Sequence, residues 1–217
     1  MRDGTLGSVV AIDGPAASGK SSVARALAQR LGFAYVNSGG YYRAIAWLAN
    51  QRGVSNPEAV LAEIDRSKFT FGLRDQESFV LIDGLDPAAH LQDENVNRVV
   101  PQIAAIPVVR QFLVSHLRGL SSLDNLVMEG RDIGTVVFPN TPFKFYIDAS
   151  PEVRAQRREA QGLRDDLSYR DRVDSSRETA PLTIAPDACV IDTSALTIEG
   201  VVSEVLSQLR RKGLPGA

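Results

Sequence analysis

The chain has 217 residues, 44% hydrophobic and 23% charged, with 24 basic against 26 acidic side chains and a formal net charge of −2. That balance argues against a dedicated nucleic-acid binder, which carries a basic surface, and fits one globular domain large enough to bury a core. One cysteine, Cys189, excludes an intramolecular disulfide; no apolar stretch reaches membrane-span length and Met1 to Gly7 lacks a signal-peptide apolar region, so the expectation is a cytoplasmic protein.

In chain order, Val9 to Ile12 reads as a short buried strand. It runs into Gly14-Pro15-Ala16-Ala17-Ser18-Gly19-Lys20-Ser21, a G-x-x-x-x-G-K-S loop, with Ser22 following. Such a loop turns its backbone N–H groups inward around a phosphate chain, and the helix that starts near Gly19 adds the positive end of its dipole. Lys20 reaches the β and γ phosphates, and the Ser21 hydroxyl can hold Mg²⁺. Val23, Ala26, Leu27 and Leu31 recur at helical spacing until Gly32 ends that helix.

Phe33 to Val36 is a second strand, followed by a helix marked by Tyr42, Ile45, Ala46 and Ala49 that ends near Gly53. At its start lies Ser38-Gly39-Gly40-Tyr41-Tyr42-Arg43, whose N–H groups and Arg43 could meet a second anion. Residues 68–71 and 79–82 break the pattern and read as an antiparallel pair with a turn near Asp75. Helical patterns follow at about 93–105 and 107–119.

Asn125 to Met128 is the next strand, and Glu129-Gly130-Arg131-Asp132 stands at its end. An acidic residue there can orient metal-bound water or a lysine, and Arg131 would share the crevice, although a structural Arg–Asp pair remains the plain alternative. Phe143 to Ile147 and Cys189 to Ile191 are two more strands, with Cys189 as a buried strand residue rather than a nucleophile. Between them lies an arginine-rich run that includes Arg154, Arg157, Arg158, Arg164, Arg170, Arg172 and Arg177. Mixed charge usually marks a solvated face, but few apolar anchors near 161–166 suggest a mobile flap able to close over phosphate. The last helix carries Val201, Val202, Val205, Leu206 and Leu209. Alternating strands and helices imply a three-layer α/β sandwich of the P-loop NTPase kind. Its centre would be a parallel five-stranded sheet, with a small antiparallel β insert and an arginine-rich lid.

From about residue 8 to 209 the chain resembles the bacterial cytidylate kinases. The matching residues are Ile12-Asp13-Gly14-Pro15 with the loop, Ser38-Gly39 with Tyr42-Arg43, Ala104-Ala105 through Pro107 to Val109-Arg110, and the run Glu129-Gly130-Arg131-Asp132-Ile133-Gly134-Thr135-Val136-Val137-Phe138-Pro139. Further matches are Asp148-Ala149-Ser150, Arg170-Asp171, Asp174-Ser175, Arg177 and Ala180-Pro181-Leu182. The resemblance implies a single kinase domain over 1–217, with a core at 8–52, 120–160 and 178–211, a monophosphate-binding insert at about 53–119 and a lid at about 158–170. It implies transfer of the γ-phosphoryl group of ATP to CMP or dCMP, with Mg²⁺, by a monomer that needs neither nucleic acid nor membrane.

By the same resemblance the donor nucleotide is held by Gly14 to Ser22 and Arg157, with Ser21 on the metal. The acceptor site is lined by Ser38, Tyr42, Arg43, Arg110, Arg131, Asp132, Arg170, Asp174 and Arg177. Arg43, Arg131 and Arg170 would hold the acceptor phosphate; Arg110, Asp132 and Arg177 would read cytosine; Asp174 would accept from the ribose. Lys20, Arg131 and Arg170 would carry the chemistry. Four departures from the family pattern stand out: Pro101 replaces a serine that helps bind the base, Leu91-Gln92 replaces an Ile-Arg pair, Gly40-Tyr41 precedes Tyr42-Arg43, and the lid is about ten residues short. Open alternatives are a P-loop kinase for UMP, AMP or a shikimate-like acceptor, and a non-catalytic nucleotide-binding module.

Overall fold

The computed structural model describes residues 6–160, 167–177 and 179–217, with Arg170 in its backbone only. Its strands are β1 (Val9–Asp13), β2 (Ala34–Asn37), β3 (Phe69–Arg74), β4 (Glu77–Ile82), β5 (Leu126–Gly130), β6 (Phe143–Asp148) and β7 (Cys189–Asp192). They form one sheet in the order β3-β4-β2-β5-β1-β6-β7. The run β2-β5-β1-β6-β7 is parallel throughout, which is the five-stranded core the sequence implies. The expected β insert is the β3–β4 hairpin, turned at Asp75 and Gln76, which both take positive φ (50° and 59°). It is not separate from the core: Tyr35 of β2 pairs with Glu77 of β4, so the sheet continues to seven strands.

The helices are α1 (Lys20–Leu31), α2 (Ser38–Arg52), α3 (Pro57–Arg66), α4 (Glu94–Ala105), α5 (Pro107–Gly119), α6 (Pro151–Ala160), α7 (Leu167–Ser175) and α8 (Ile198–Arg211). Strand alternation assigns the two faces. Val10 and Ile12 pack against α1 and α8 through Val23, Leu27, Val202 and Val205. Val9 and Ala11 face the opposite layer, where Ile45, Val96 and Leu113 of α2, α4 and α5 meet. The central strand β1 is buried at all five positions, as a parallel strand covered on both sides must be. No helix among the described residues is long and apolar enough to cross a membrane.

Three details depart from the sequence-based outline. Helix α3 occupies a stretch where no element is expected, with Asn56 accepting from Ala59 N at 2.8 Å and Pro57 at the first turn. Cys189 is on the strand as expected but only half-buried, because β7 is the sheet edge. The arginine-rich run forms α6 and α7; of the expected lid, 161–166 lie outside the described residues.

Candidate active site

The carboxyl ends of β1, β2 and β5 lie side by side, and the chain leaves each of them into a site segment. After β1 the loop turns sharply at Gly14 (φ 155°), where a Cβ would sit 2.1 Å from the Ile147 carbonyl oxygen, so only glycine fits. Gly19 (φ 90°) then caps α1. Lys20 is buried, and its Nζ donates to the Pro15 carbonyl at 2.9 Å. Burial, reinforced by the Arg131 charge, pulls its pKa down to about 7.

The loop is clasped from behind. Arg157 Nη1 donates to the Ser18 carbonyl at 3.1 Å and its Nη2 to the Thr193 carbonyl at 2.9 Å. Thr193 Oγ1 lies 2.9 Å from the Ser18 carbonyl. Arg154 Nη1 reaches both the Ala16 carbonyl (3.2 Å) and Asp171 Oδ2 (2.7 Å), joining α6 to the loop and to α7.

After β2, Asn37 caps α2 by accepting from Gly40 N at 3.3 Å, and Ser38 Oγ donates to the Glu129 carbonyl at 2.8 Å. Thus the turn at the start of α2 is tied to the end of β5. Arg43 Nε approaches Asn97 Oδ1 at 3.4 Å. Beyond β5, residues Ile133–Val137 form a single π-turn. Asp13 holds its start, accepting from Ile133 N at 2.8 Å and Gly134 N at 2.7 Å. Burial pushes the Asp13 pKa up to about 6 against those hydrogen bonds. Arg118 donates to the Val136 and Val137 carbonyls at the other end, both at 2.8 Å.

These segments line one cleft of about 1100 Å³, just above the usual size of a single small-molecule site (roughly 300–1,000 Å³). It brings together Ala16, Ala17, Gly19, Lys20, Ser21, Ser22 and Arg157 from the donor set with Ser38, Tyr42, Arg43, Arg110, Arg131, Asp132, Asp174 and Arg177 from the acceptor set. Gly14, Pro15 and Ser18 are buried beneath it. Arg170 lies on α7, but its side chain is outside the described residues. The two histidines are elsewhere: His90 pairs with Asp93 on the surface, and His116 packs on Phe71 and Phe112.

The end of the cleft that holds Arg110, Asp132, Arg131, Asp174 and Arg177 is a charge network. Arg110, in α5, pairs with Asp132 and donates to the Ala104 carbonyl at 3.1 Å; both partners are about 4% exposed. Burial pushes the Asp132 carboxyl up, and the Arg110 guanidinium pulls against it. Asp174 takes Arg131 Nε on one oxygen at 2.7 Å and Arg177 on the other. Among the described residues, the Tyr42 hydroxyl and Arg177 Nε are buried without a hydrogen-bond partner. Unsatisfied polar atoms facing a cleft are where a ligand's own donors and acceptors are expected. Pro101 lines the same wall from inside α4, where it can supply neither hydroxyl nor N–H.

Glu129 lines the cleft as its place at the strand end suggests, and Tyr35, Arg25 and Thr193, which are not evident from the sequence, line it too. Tyr35 OH donates to Glu129 Oε1 at 3.0 Å. Register explains the contact: Asn37 pairs with Glu129 and Tyr35 with Val127, so Tyr35 and Glu129 are diagonal neighbours on one sheet face.

The sequence matches the cytidylate kinase family over residues 10–211. It is 43% identical over 225 residues to the bifunctional pantoate ligase/cytidylate kinase of Synechococcus elongatus, a match that covers 95% of this chain and 42% of that protein. The chain therefore spans less than half the length of that relative. It is 39% identical to the cytidylate kinase of Geobacillus thermodenitrificans, covering 91% of this chain and 94% of that one. The Streptococcus pneumoniae cytidylate kinase is 38% identical over 94% and 97% of the two chains. Among solved structures, thymidylate kinase from Candida albicans superposes with a TM-score of 0.52 at 12% identity, covering 95% of this chain and 92% of that one, which is a likeness of fold.

Proposed function

Because the chain belongs to the cytidylate kinase family, we propose that it transfers the γ-phosphoryl group of ATP to CMP or dCMP. The observation that supports this best is the shared cleft, with the phosphate loop and Lys20 at one end and the buried Arg110–Asp132 pair at the other. A guanidinium beside a carboxylate offers both donors and acceptors to a pyrimidine edge. A base with the wrong pattern leaves one of them buried and unpaired, which is the strong form of rejection.

The reaction asks little covalent chemistry of the protein. An ionised phosphate oxygen of CMP attacks the γ-phosphorus, the bond to the β,γ-bridging oxygen breaks, and ADP leaves with that electron pair. The nucleophile is already deprotonated near pH 7, so no general base is needed. Positioning and charge stabilisation remain. In this reading residues 14–22 and Arg157 hold ATP, and Lys20 follows the charge on the β and γ oxygens. Arg43, Arg131 and Arg170 hold the acceptor phosphate, Arg110, Asp132 and Arg177 read the base, Asp174 the ribose, and Ser38 and Tyr42 complete the wall. The core, insert (53–119) and lid (158–170) remain the working division of labour.

The oxygen donors Ser21 and Glu129 suit a magnesium ion held mostly by phosphate oxygens and water. When bound, that ion neutralises charge on the β and γ phosphates. A monomer in the cytoplasm, with these small molecules as its partners, completes the reading.

The test is an acceptor panel with ATP and Mg²⁺. CMP and dCMP are expected to be phosphorylated much faster than UMP, AMP or shikimate. Equal or faster turnover of UMP overturns the base assignment. No turnover of any acceptor favours a nucleotide-binding module.

A further inference from the structure

We propose that Tyr35 is a positioning residue for the metal side of the cleft: its hydroxyl holds one oxygen of Glu129 so that the carboxylate presents the other beside Ser21 and the donor phosphates. The inference rests on the kinase reading above. Four observations carry it. Tyr35 OH donates to Glu129 Oε1 at 3.0 Å, and the two residues are 5% and 3% exposed, so water does not compete for the contact. Both line the cleft together with Ser21 and Lys20. The Ser21 hydroxyl faces the same phenol from the start of α1. The ring itself is clamped: the Arg25 guanidinium lies 4.5 Å above its centroid, Arg25 pairs with Glu77, and Tyr35 N donates to the Gln76 carbonyl at 2.8 Å.

A free glutamate at a strand end has several rotamers, and its charge would be drawn to the nearby Lys20 ammonium. A rigid donor from the neighbouring strand removes that freedom. Burial and the Glu129 charge both push the phenol's pKa up, so Tyr35 stays a donor across the working range. Groups that orient a ligand-holding carboxylate act on the metal without touching it. The Arg25–Glu77 pair extends the same chain of contacts to the β3–β4 hairpin.

The experiment compares binding of the β,γ-imido analogue of ATP, by calorimetry, with Mg²⁺ and with EDTA. It uses the wild-type chain, Tyr35→Phe, Glu129→Gln and the double variant, with CMP phosphorylation and thermal unfolding followed in parallel. Tyr35→Phe is expected to cut the Mg²⁺-dependent gain in affinity by about 10-fold, the lower end for outer-shell partners, while binding in EDTA and the KM for CMP stay near wild type. In the Glu129→Gln background the same change should add little, because the two act as one unit. A full Mg²⁺ gain in Tyr35→Phe overturns the proposal, as do fully additive effects or an equal loss in EDTA. Should Tyr35→Phe alone fold poorly because it leaves a buried carboxylate unpaired, the comparison of Glu129→Gln with the double variant still decides. A wild-type chain that binds the analogue with no help from Mg²⁺ and phosphorylates no acceptor overturns the kinase reading itself, and this inference with it.

Discussion

Arg131 Nε donates to Asp174 Oδ2 at 2.7 Å, joining the end of β5 to helix α7 across 43 positions of the chain. Arg177 pairs with the other oxygen, so one carboxylate separates two guanidinium groups that would otherwise repel. Asp174→Ala is therefore expected to lower the unfolding free energy by about 2–4 kcal/mol, somewhat below the cost of breaking a fully buried pair. It should also raise the KM for CMP more than that for ATP. Steady-state kinetics with a chemical melt checks both, and an unchanged KM for CMP would refute the ribose assignment.

Lys20→Ala should reduce phosphoryl transfer by at least about 100-fold, as removal of a charge-stabilising donor does, with CMP binding largely kept. The pH behaviour is more diagnostic. In the nucleotide-free site the Lys20 pKa is about 7, and bound polyphosphate draws the proton back. ATP binding at about pH 8 should thus take up close to one proton in the wild type and markedly less in Lys20→Ala, read from calorimetry in buffers of different ionisation heat. In the free protein the unfolded lysine binds a proton between about pH 7 and 10.5 that the folded one does not. Its contribution to stability accordingly rises with pH through that window and is absent from the variant.

The adjacent glycines of α2 should respond in opposite ways. A Cβ at Gly39 would stand 2.9 Å from Arg43 Nη1, whereas one at Gly40 meets only Leu91 Cδ1 at 4.0 Å. Gly40→Ala keeps its N–H for Asn37 and is expected to raise stability by about 0.5–1 kcal/mol. Gly39→Ala should displace the Arg43 guanidinium and raise the KM for CMP. Thermal melts and CMP titration of the pair separate the two effects; a destabilised Gly40→Ala would contradict the packing.

Pro101 denies the Asn97 carbonyl its helical donor and gives the cleft an apolar wall. Pro101→Ser restores the N–H, and an interior proline costs a helix up to about 3 kcal/mol. The variant should unfold at higher denaturant and lower the KM for CMP more than that for UMP. Equal changes for both acceptors would show that position 101 does not take part in reading the base.

Much of this arrangement was legible in the sequence because local rules govern it. The glycines around Lys20, the apolar runs of β1 and β5, and the helices at 94–105 and 107–119 are each written in a short window. The turn at Ser38 to Arg43 and the run at Glu129 to Asp132 also stood out locally, but the place of Arg110 was legible only through resemblance, since nothing local brings it to Asp132. Tyr35 shows the limit most clearly. In the run Phe33 to Val36 it reads as one more strand residue, and its role depends on the register of β2 against β5, which no window of either strand contains. Thr193, and the grip of Arg154 on the loop rather than a place in a flap, escaped for the same reason: their partners, the carbonyls of Ser18 and Ala16, are backbone groups more than 130 positions away. Helix α3 was missed because its apolar face is thin, with Val60 and Ile64 as its buried residues.

The Asp13 carboxylate grips the first two N–H groups of the π-turn, so the donor loop and the strand end that bears Arg131 and Asp132 are bolted to one chassis. Two nucleotides approaching from opposite ends would meet a bed whose halves cannot slide apart. Adjustment to the shape of the acceptor is then left to the residues that α4, α5 and α7 add to the cleft, Pro101, Arg110 and Asp174 among them. Selectivity, on this plan, is read across a seam: Asp132 on the anchored strand end meets Arg110 brought in by the helical layer.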